Sequence, residues 1–161
     1  MNTKNDFLII SIMAKQGGCF ASYELLQAIA AAGMRIGEGN LFHYYATQHS
    51  ADAVLARWYE EMHTITDNNK NILFSLASAT TTGKFDWDKI GDFTCPGLVL
   101  FMDLNHVIQP LETFNTMLTI AEQLADDLDG ELRADPRTPW SEEILKQYHQ
   151  KIRDVAEIHS A

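Results

Sequence analysis

Phe93-Thr-Cys-Pro-Gly-Leu-Val-Leu-Phe-Met-Asp-Leu104 is the stretch that decides the fold. Pro96-Gly97 is a turn signal, and the next five residues, Leu98 to Met102, are all apolar. A run this short and this rich in β-formers predicts a strand that is apolar on both faces. Side chains alternate along a strand, so Leu98, Leu100 and Met102 share one face and Val99 and Phe101 the other. One face covers the core. If nothing in the chain covers the other, it is a binding surface.

Upstream of this strand, Thr80 to Asp92 reads as a loop carrying Phe85 and Trp87. Ile72 to Ala79 is a second strand, with Leu73, Ser75, Ala77 and Ala79 on one face. Phe7 to Met13 is a third, with Phe7, Ile9 and Ser11 on one face and Leu8, Ile10 and Ile12 on the other. Gln16-Gly-Gly18 breaks it, and residues 1–5 are a polar leader. Ser22 is placed as the N-cap of a helix to Ala32, with Leu25, Leu26 and Ile29 as its apolar stripe and Gly33 as its left-handed terminator. Met34 to Tyr45 is extended, with Gly39 and Leu41 on one face and Asn40 and Phe42 on the other.

Downstream, Pro110 opens the strongest helix. Phe114, Met117, Leu118, Ala121, Leu124, Ala125 and Leu128 form its stripe, and Gly130 is the expected stop. Glu131 to Ala134 is a short strand. Thr138-Pro139 has the form of an N-cap and N1 pair for a last helix to about His159, with Ile144, Tyr148, Ile152 and Val155 inward. The stretch 46–71 stands apart. Ser50 caps an expected amphipathic helix from Ala51 to His63, whose Val54, Leu55, Trp58, Tyr59 and Met62 dock on the domain, either at a sheet edge or under the helix layer, or with Trp58 and Tyr59 bordering the open face as a wall or a lid. Thr64 to Asn71 is polar and turn-like.

These elements predict an α+β fold: a mostly antiparallel sheet of four or five strands, with helices on one face. Length fits a single domain over 6–160 with an insertion at about 46–71, and 46% hydrophobic residues suffice for a core. A net charge of −10 argues against a nucleic-acid partner and against docking on anionic lipid. Cys19 and Cys95 lie far apart without C-x-x-C spacing, which fits a reduced compartment. Neither a signal peptide nor a membrane-length apolar run is visible, so the chain as it stands reads as soluble.

The sequence holds no Walker A loop, G-x-G-x-x-G, G-x-S-x-G or H-E-x-x-H. Its six histidines lack metal spacing, and His43 reads as a surface or core-edge residue. Asp126-Asp-Leu-Asp-Gly-Glu131 fails as a calcium loop, because aligning Gly130 to the loop glycine puts Ala125 first and Pro136 at the bidentate position. Asp103 and His106 read as a strand-exit loop. No catalytic residue, cofactor site or metal site is assigned, and the expectation is a protein that is not an enzyme.

The ordered series Gly33 to His43 (GMRIGEGNLFH), Leu73 to Ala77 (LFSLA), Gly83-Lys-Phe-Asp86, Asp92 to Met102 (DFTCPGLVLFM), Ala121 to Gly130 and Glu142 to Val155 resembles the C-terminal domain family of the bacterial cell-division protein ZipA, which binds the tubulin-like GTPase FtsZ. The resemblance implies a split β-α-β fold whose helix-free sheet face is a shallow apolar cleft for the C-terminal tail of FtsZ. Carried over by position, the cleft is Phe7, Ile9, Gly39, Leu41, Ala77, Ala79, Val99 and Phe101. These are the residues that alternation alone sets opposite the helices. Familiar members carry Met at positions 39 and 79, a shorter loop at 46–71, and a membrane span and linker before this domain. The implied role is to link FtsZ filaments to the inner membrane at the septum, from its cytoplasmic side, with the membrane reached only through an N-terminal anchor outside this chain. The alternative is a scaffold or small-ligand protein of the same fold that does not bind FtsZ.

Overall fold

The computed structural model describes residues 6–37, 41–45, 72–80, 94–107 and 109–160, with side chains through residue 156. The leader at 1–5, Gly39, the expected helix at 51–63 and the loop bearing Phe85 and Trp87 lie outside the described residues.

Strand β1 (Phe7–Ala14) is followed by β2 (Phe20–Ala21), α1 (Ser22–Ala31), β3 (Arg35–Ile36), β4 (Phe42–Tyr45) and β5 (Ile72–Ser78). Then come β6 (Thr94–Cys95), β7 (Gly97–Asp103), α2 (Pro110–Leu128), β8 (Gly130–Asp135), β9 (Thr138–Pro139) and α3 (Glu142–Ser160). The main sheet runs β3-β4-β5-β7-β1-β8-β9, and β2 and β6 form a separate ribbon. Every described strand pair is antiparallel. The expected α+β architecture is the one observed. β1 and β7 pair along their length, from Phe7 opposite Asp103 to Met13 opposite Gly97.

Alternation places Leu8, Ile10 and Ile12 of β1 beside Leu98, Leu100 and Met102 of β7, all within 1% of full burial. Leu25 and Ile29 of α1, Phe114, Met117 and Leu124 of α2, and Ile152 and Val155 of α3 complete the same core. The described helices therefore share the face that carries the even-numbered side chains of β1 and β7. Each such large side chain, buried, contributes about 1.5–3 kcal/mol, which holds three amphipathic helices on one sheet face.

Local signals are overridden at three helix ends. Ala21, not Ser22, takes the N-cap place of α1 in extended conformation, because Ala21 is already paired with Thr94, and Ser22 is buried inside the first turn. Asp129, not Gly130, ends α2 in the left-handed conformation at φ 55°. Gly130 is the first residue of β8, opposite Ala14, where a Cβ would press on Ile12 Cγ2 and Phe20 Cζ at 3.0 Å. Thr138-Pro139 forms strand β9 against β8 instead of opening a helix. The α3 start is held by Ser141, whose Oγ accepts the Ile144 N–H at 3.3 Å. Gly33 does sit at positive φ, 86°, just beyond α1.

Candidate functional site

On the sheet face opposite the described helices, two large apolar side chains stand in solvent: Phe7 is 40% exposed and Ile9 37%. Phe101 lies directly across from Ile9, and its ring centroid is 6.4 Å from that of Phe7, tilted by 49°. Val99 is flanked by Ser11 on β1 and Ala77 on β5. Phe7, Ile9, Val99, Phe101 and Ala77 thus occupy one continuous face across β1, β7 and β5, and Val99, Phe101 and Ala77 are half-buried. Leu41 is half-buried and immediately precedes Phe42, which pairs with Leu76. Ala79 follows β5, and its N–H donates to Gly97 O at 2.8 Å. Gly39 lies outside the described residues.

The same face turns polar on both sides of this stripe. Toward β4, Phe101 is followed across the sheet by Ser75 and then His43. Both are buried, with His43 Nδ1 2.7 Å from Ser75 Oγ, so His43 belongs to the covered part of the sheet and not to its surface. Arg35, opposite His43, places its guanidinium 5.0 Å from the Tyr45 ring centroid. On the other side Arg133 of β8 lies opposite Ser11 and donates to Glu131 Oε1 at 2.8 Å and to Pro136 O at 3.1 Å. Ser11 Oγ and Arg133 Nε are buried and have no hydrogen-bond partner among the described residues. In a chain with 22 acidic and 12 basic residues, the apolar stripe is bordered laterally by two arginines. The sequence-based reading omits both. Extending the period-two alternation to β8 would have put Arg133 on this face.

Backbone support comes from α3. β8 pairs with β1 only from Ser11 to Ala14, which leaves the first half of that β1 edge without a strand. Tyr148 Oη donates to Ile9 O at 2.7 Å and Lys151 Nζ to Phe7 O at 3.3 Å. Tyr148 is wedged edge-on between Phe114 and Trp140, at 5.9 and 5.5 Å between centroids. Its burial pushes the phenol pKa upward. The exposed side chains Phe7 and Ile9 therefore rise from a strand pinned on both edges.

The chemistry of this surface is desolvation. Among the described residues no three His, Cys, Asp or Glu side chains converge on a point where a metal would sit. The Cys95 thiol is buried and pushed up to about 11, away from thiolate reactivity. What the stripe offers is apolar area that is released from water when another chain covers it.

The sequence profile described as "ZipA, C-terminal FtsZ-binding domain" matches residues 6–151. The chain belongs to this family. Its relatives include the cell division protein ZipA of Shewanella loihica, 34% identical over 148 residues, covering 92% of this chain and 39% of that protein. The cell division protein ZipA of Azotobacter vinelandii is 30% identical over 149 residues, covering 92% and 46%. That of Pseudomonas syringae pv. tomato is 32% identical over 147 residues, covering 91% and 45%. The chain spans less than half the length of these relatives. No helix among the described residues is long and apolar enough to cross a membrane.

Proposed function

We propose that this domain, a single unit over 6–160 with its insertion at about 46–71, is a non-enzymatic peptide-binding module. It grips the C-terminal tail of FtsZ on the stripe formed by Phe7, Ile9, Val99, Phe101, Ala77 and Ala79, with Gly39 and Leu41 extending the site. The observation that supports this most is the pair Phe7 and Ile9, exposed by more than a third on the sheet face that the described helices leave open. Monomeric proteins rarely keep a contiguous apolar patch in water without a use. A few apolar tail side chains buried here contribute roughly 1.5–3 kcal/mol each. Ordering the tail offsets part of that, so the affinity falls in the micromolar range, on the order of −8 kcal/mol. Many tails on one filament then raise avidity. In the full-length protein this grip ties FtsZ filaments to the inner membrane at the septum, from the cytoplasmic side, through an N-terminal anchor.

Calorimetric titration with a synthetic peptide copying the FtsZ C-terminal tail tests the reading. Micromolar binding that falls at least tenfold in Ile9→Glu, with unchanged circular dichroism, supports it. A folded wild-type chain that gives no heat with the peptide at millimolar concentration overturns it and favours a scaffold role.

A further inference from the structure

Across the open sheet face one row of residues runs Ala77, Val99, Ser11 and Arg133, from β5 through β7 and β1 to β8. The first two belong to the apolar stripe, and the last two end it with polar groups. Ser11 is 0% exposed, and its Oγ has no hydrogen-bond partner among the described residues. Arg133 Nε is also buried and also unpaired among them. Residues directly opposite in an antiparallel pair hold their Cβ atoms roughly 4.5–5.5 Å apart, so one atom set between these two side chains reaches both.

A buried polar group without a partner is costly, and native proteins keep few of them. Here two stand side by side, on the face that bears Phe7 and Ile9. The far end of the arginine is already engaged: Nη2 donates to Glu131 Oε1 at 2.8 Å and Nη1 to Pro136 O at 3.1 Å. Only the Nε–H is left over. The chemistry of its partner follows from the donors. An arginine nitrogen can only donate, so the partner is an acceptor, and the serine hydroxyl can donate to the same atom. The arginine charge is already met by Glu131, in a chain of net charge −10, so a second carboxylate would be repelled here. That leaves a neutral oxygen. In a peptide lying over the stripe, the neutral oxygen that every residue supplies is its main-chain carbonyl.

We propose that Ser11 and Arg133 form a polar clasp that takes one main-chain carbonyl oxygen of the bound FtsZ tail. The inference rests on the tail-binding reading above and adds what sets the position of the tail. The clasp lies two residues along β1 from Ile9, roughly 6.5 Å away. Apolar contacts hold a chain without fixing its direction, and a few placed polar groups supply that. The unpaired hydroxyl and Nε–H are then groups kept for the complex, at a cost to the stability of the free domain.

Nuclear magnetic resonance on the full chain with 15N-labelled arginine, titrated with the synthetic FtsZ tail peptide, tests this. The Arg133 Nε–H resonance is expected to move downfield on binding and to show Overhauser contacts to α-protons of the peptide. Ser11→Ala and Arg133→Lys are each expected to weaken the peptide about fivefold or more in calorimetry, the loss of one hydrogen bond, with unchanged circular dichroism. A purely structural role would lower the melting temperature and leave the affinity alone, and that result overturns the clasp. A peptide with every carboxylate amidated is expected to give the same downfield shift; a shift lost with it overturns the carbonyl assignment. If Arg133→Lys does not fold, Ser11→Ala and the wild-type resonance decide. A peptide that binds, is lost in Ile9→Glu, and yet leaves the Arg133 Nε–H unmoved overturns the clasp alone. A peptide that does not bind the wild-type chain overturns both readings.

Discussion

The Tyr148 hydroxyl donates to the carbonyl oxygen of Ile9 across 2.7 Å, joining α3 to the strand that bears the exposed apolar side chains. This bond replaces the strand partner that β8 supplies only from Ser11 onward. Tyr148→Phe keeps the ring between Phe114 and Trp140 and removes only the donor. The expected loss is about 0.5–1.5 kcal/mol of stability by chemical denaturation, because a carbonyl is left without that partner. A variant as stable as wild type would show that water replaces the hydroxyl without cost.

The same phenol gives alkaline pH a defined direction. Burial raises the Tyr148 pKa above its ordinary 10.0, and desolvation raises Tyr44 likewise. In each case the folded state keeps the proton longer than the unfolded chain. The stabilisation is therefore fully present below pH 10 and is lost as pH rises through the raised values. Melting temperature is expected to fall above pH 10, less steeply in Tyr148→Phe. An identical slope in the variant would remove Tyr148 from the account.

Ser11 presents the opposite case. Its hydroxyl is buried on the same side of β1 as Phe7 and Ile9 without a partner among the described residues, opposite Arg133, whose Nε is in the same state. A buried polar group left unpaired costs about 1–3 kcal/mol. Ser11→Ala is expected to raise stability by about 1 kcal/mol. A loss of that size on denaturant titration would mean that the hydroxyl bonds to Arg133 in solution.

The two-sided strand was readable because alternation needs only the strand itself. Leu98 and Leu100 are fully buried and Met102 nearly so, while Val99 and Phe101 are half-open, as spacing alone required. Helix ends were less readable, because partners distant in sequence claim the same residues. Ala21 is used by Thr94, and Gly130 by Ala14. Thr138 is drawn into the β8–β9 hairpin by Asp135, which accepts the Arg137 N–H at 2.8 Å and the Thr138 hydroxyl at 3.0 Å. Those hydrogen bonds also hold the Asp135 carboxyl below its usual range, the backbone one first.

The two cysteines should separate by reactivity. Cys19 is exposed, whereas Cys95 is fully buried, and its thiol is raised from 9.0 to about 11, first by desolvation. At pH 8 an aromatic disulfide reagent is expected to titrate Cys19 at once and Cys95 only after unfolding. Two fast thiols in the native chain would show that the β2–β6 ribbon opens on that timescale.

Adjacent residues on opposite faces provide the sharpest separation of folding from recognition. Leu100 is fully buried in the core shared with the helices, and Phe101 sits beside it facing the other way, opposite Ile9. Leu100→Ala leaves a cavity in a packed core and is expected to cost about 2–5 kcal/mol of stability. Its folded fraction should still bind the FtsZ tail, because the stripe itself is untouched. Phe101→Ala removes a half-open ring that contacts Phe7, so its stability cost should be the smaller of the two. Its loss of tail affinity should reach at least about 1–2 kcal/mol, as for an aromatic anchor at the centre of an interface. Denaturant titration beside calorimetry, run on both variants at one temperature, reads the two quantities independently. The expected result is a crossing: one variant loses stability and keeps affinity, and the other does the reverse. Phe101→Ala that folds and binds the tail with wild-type affinity would remove β7 from the recognition surface, and with it the functional meaning of the two-faced strand.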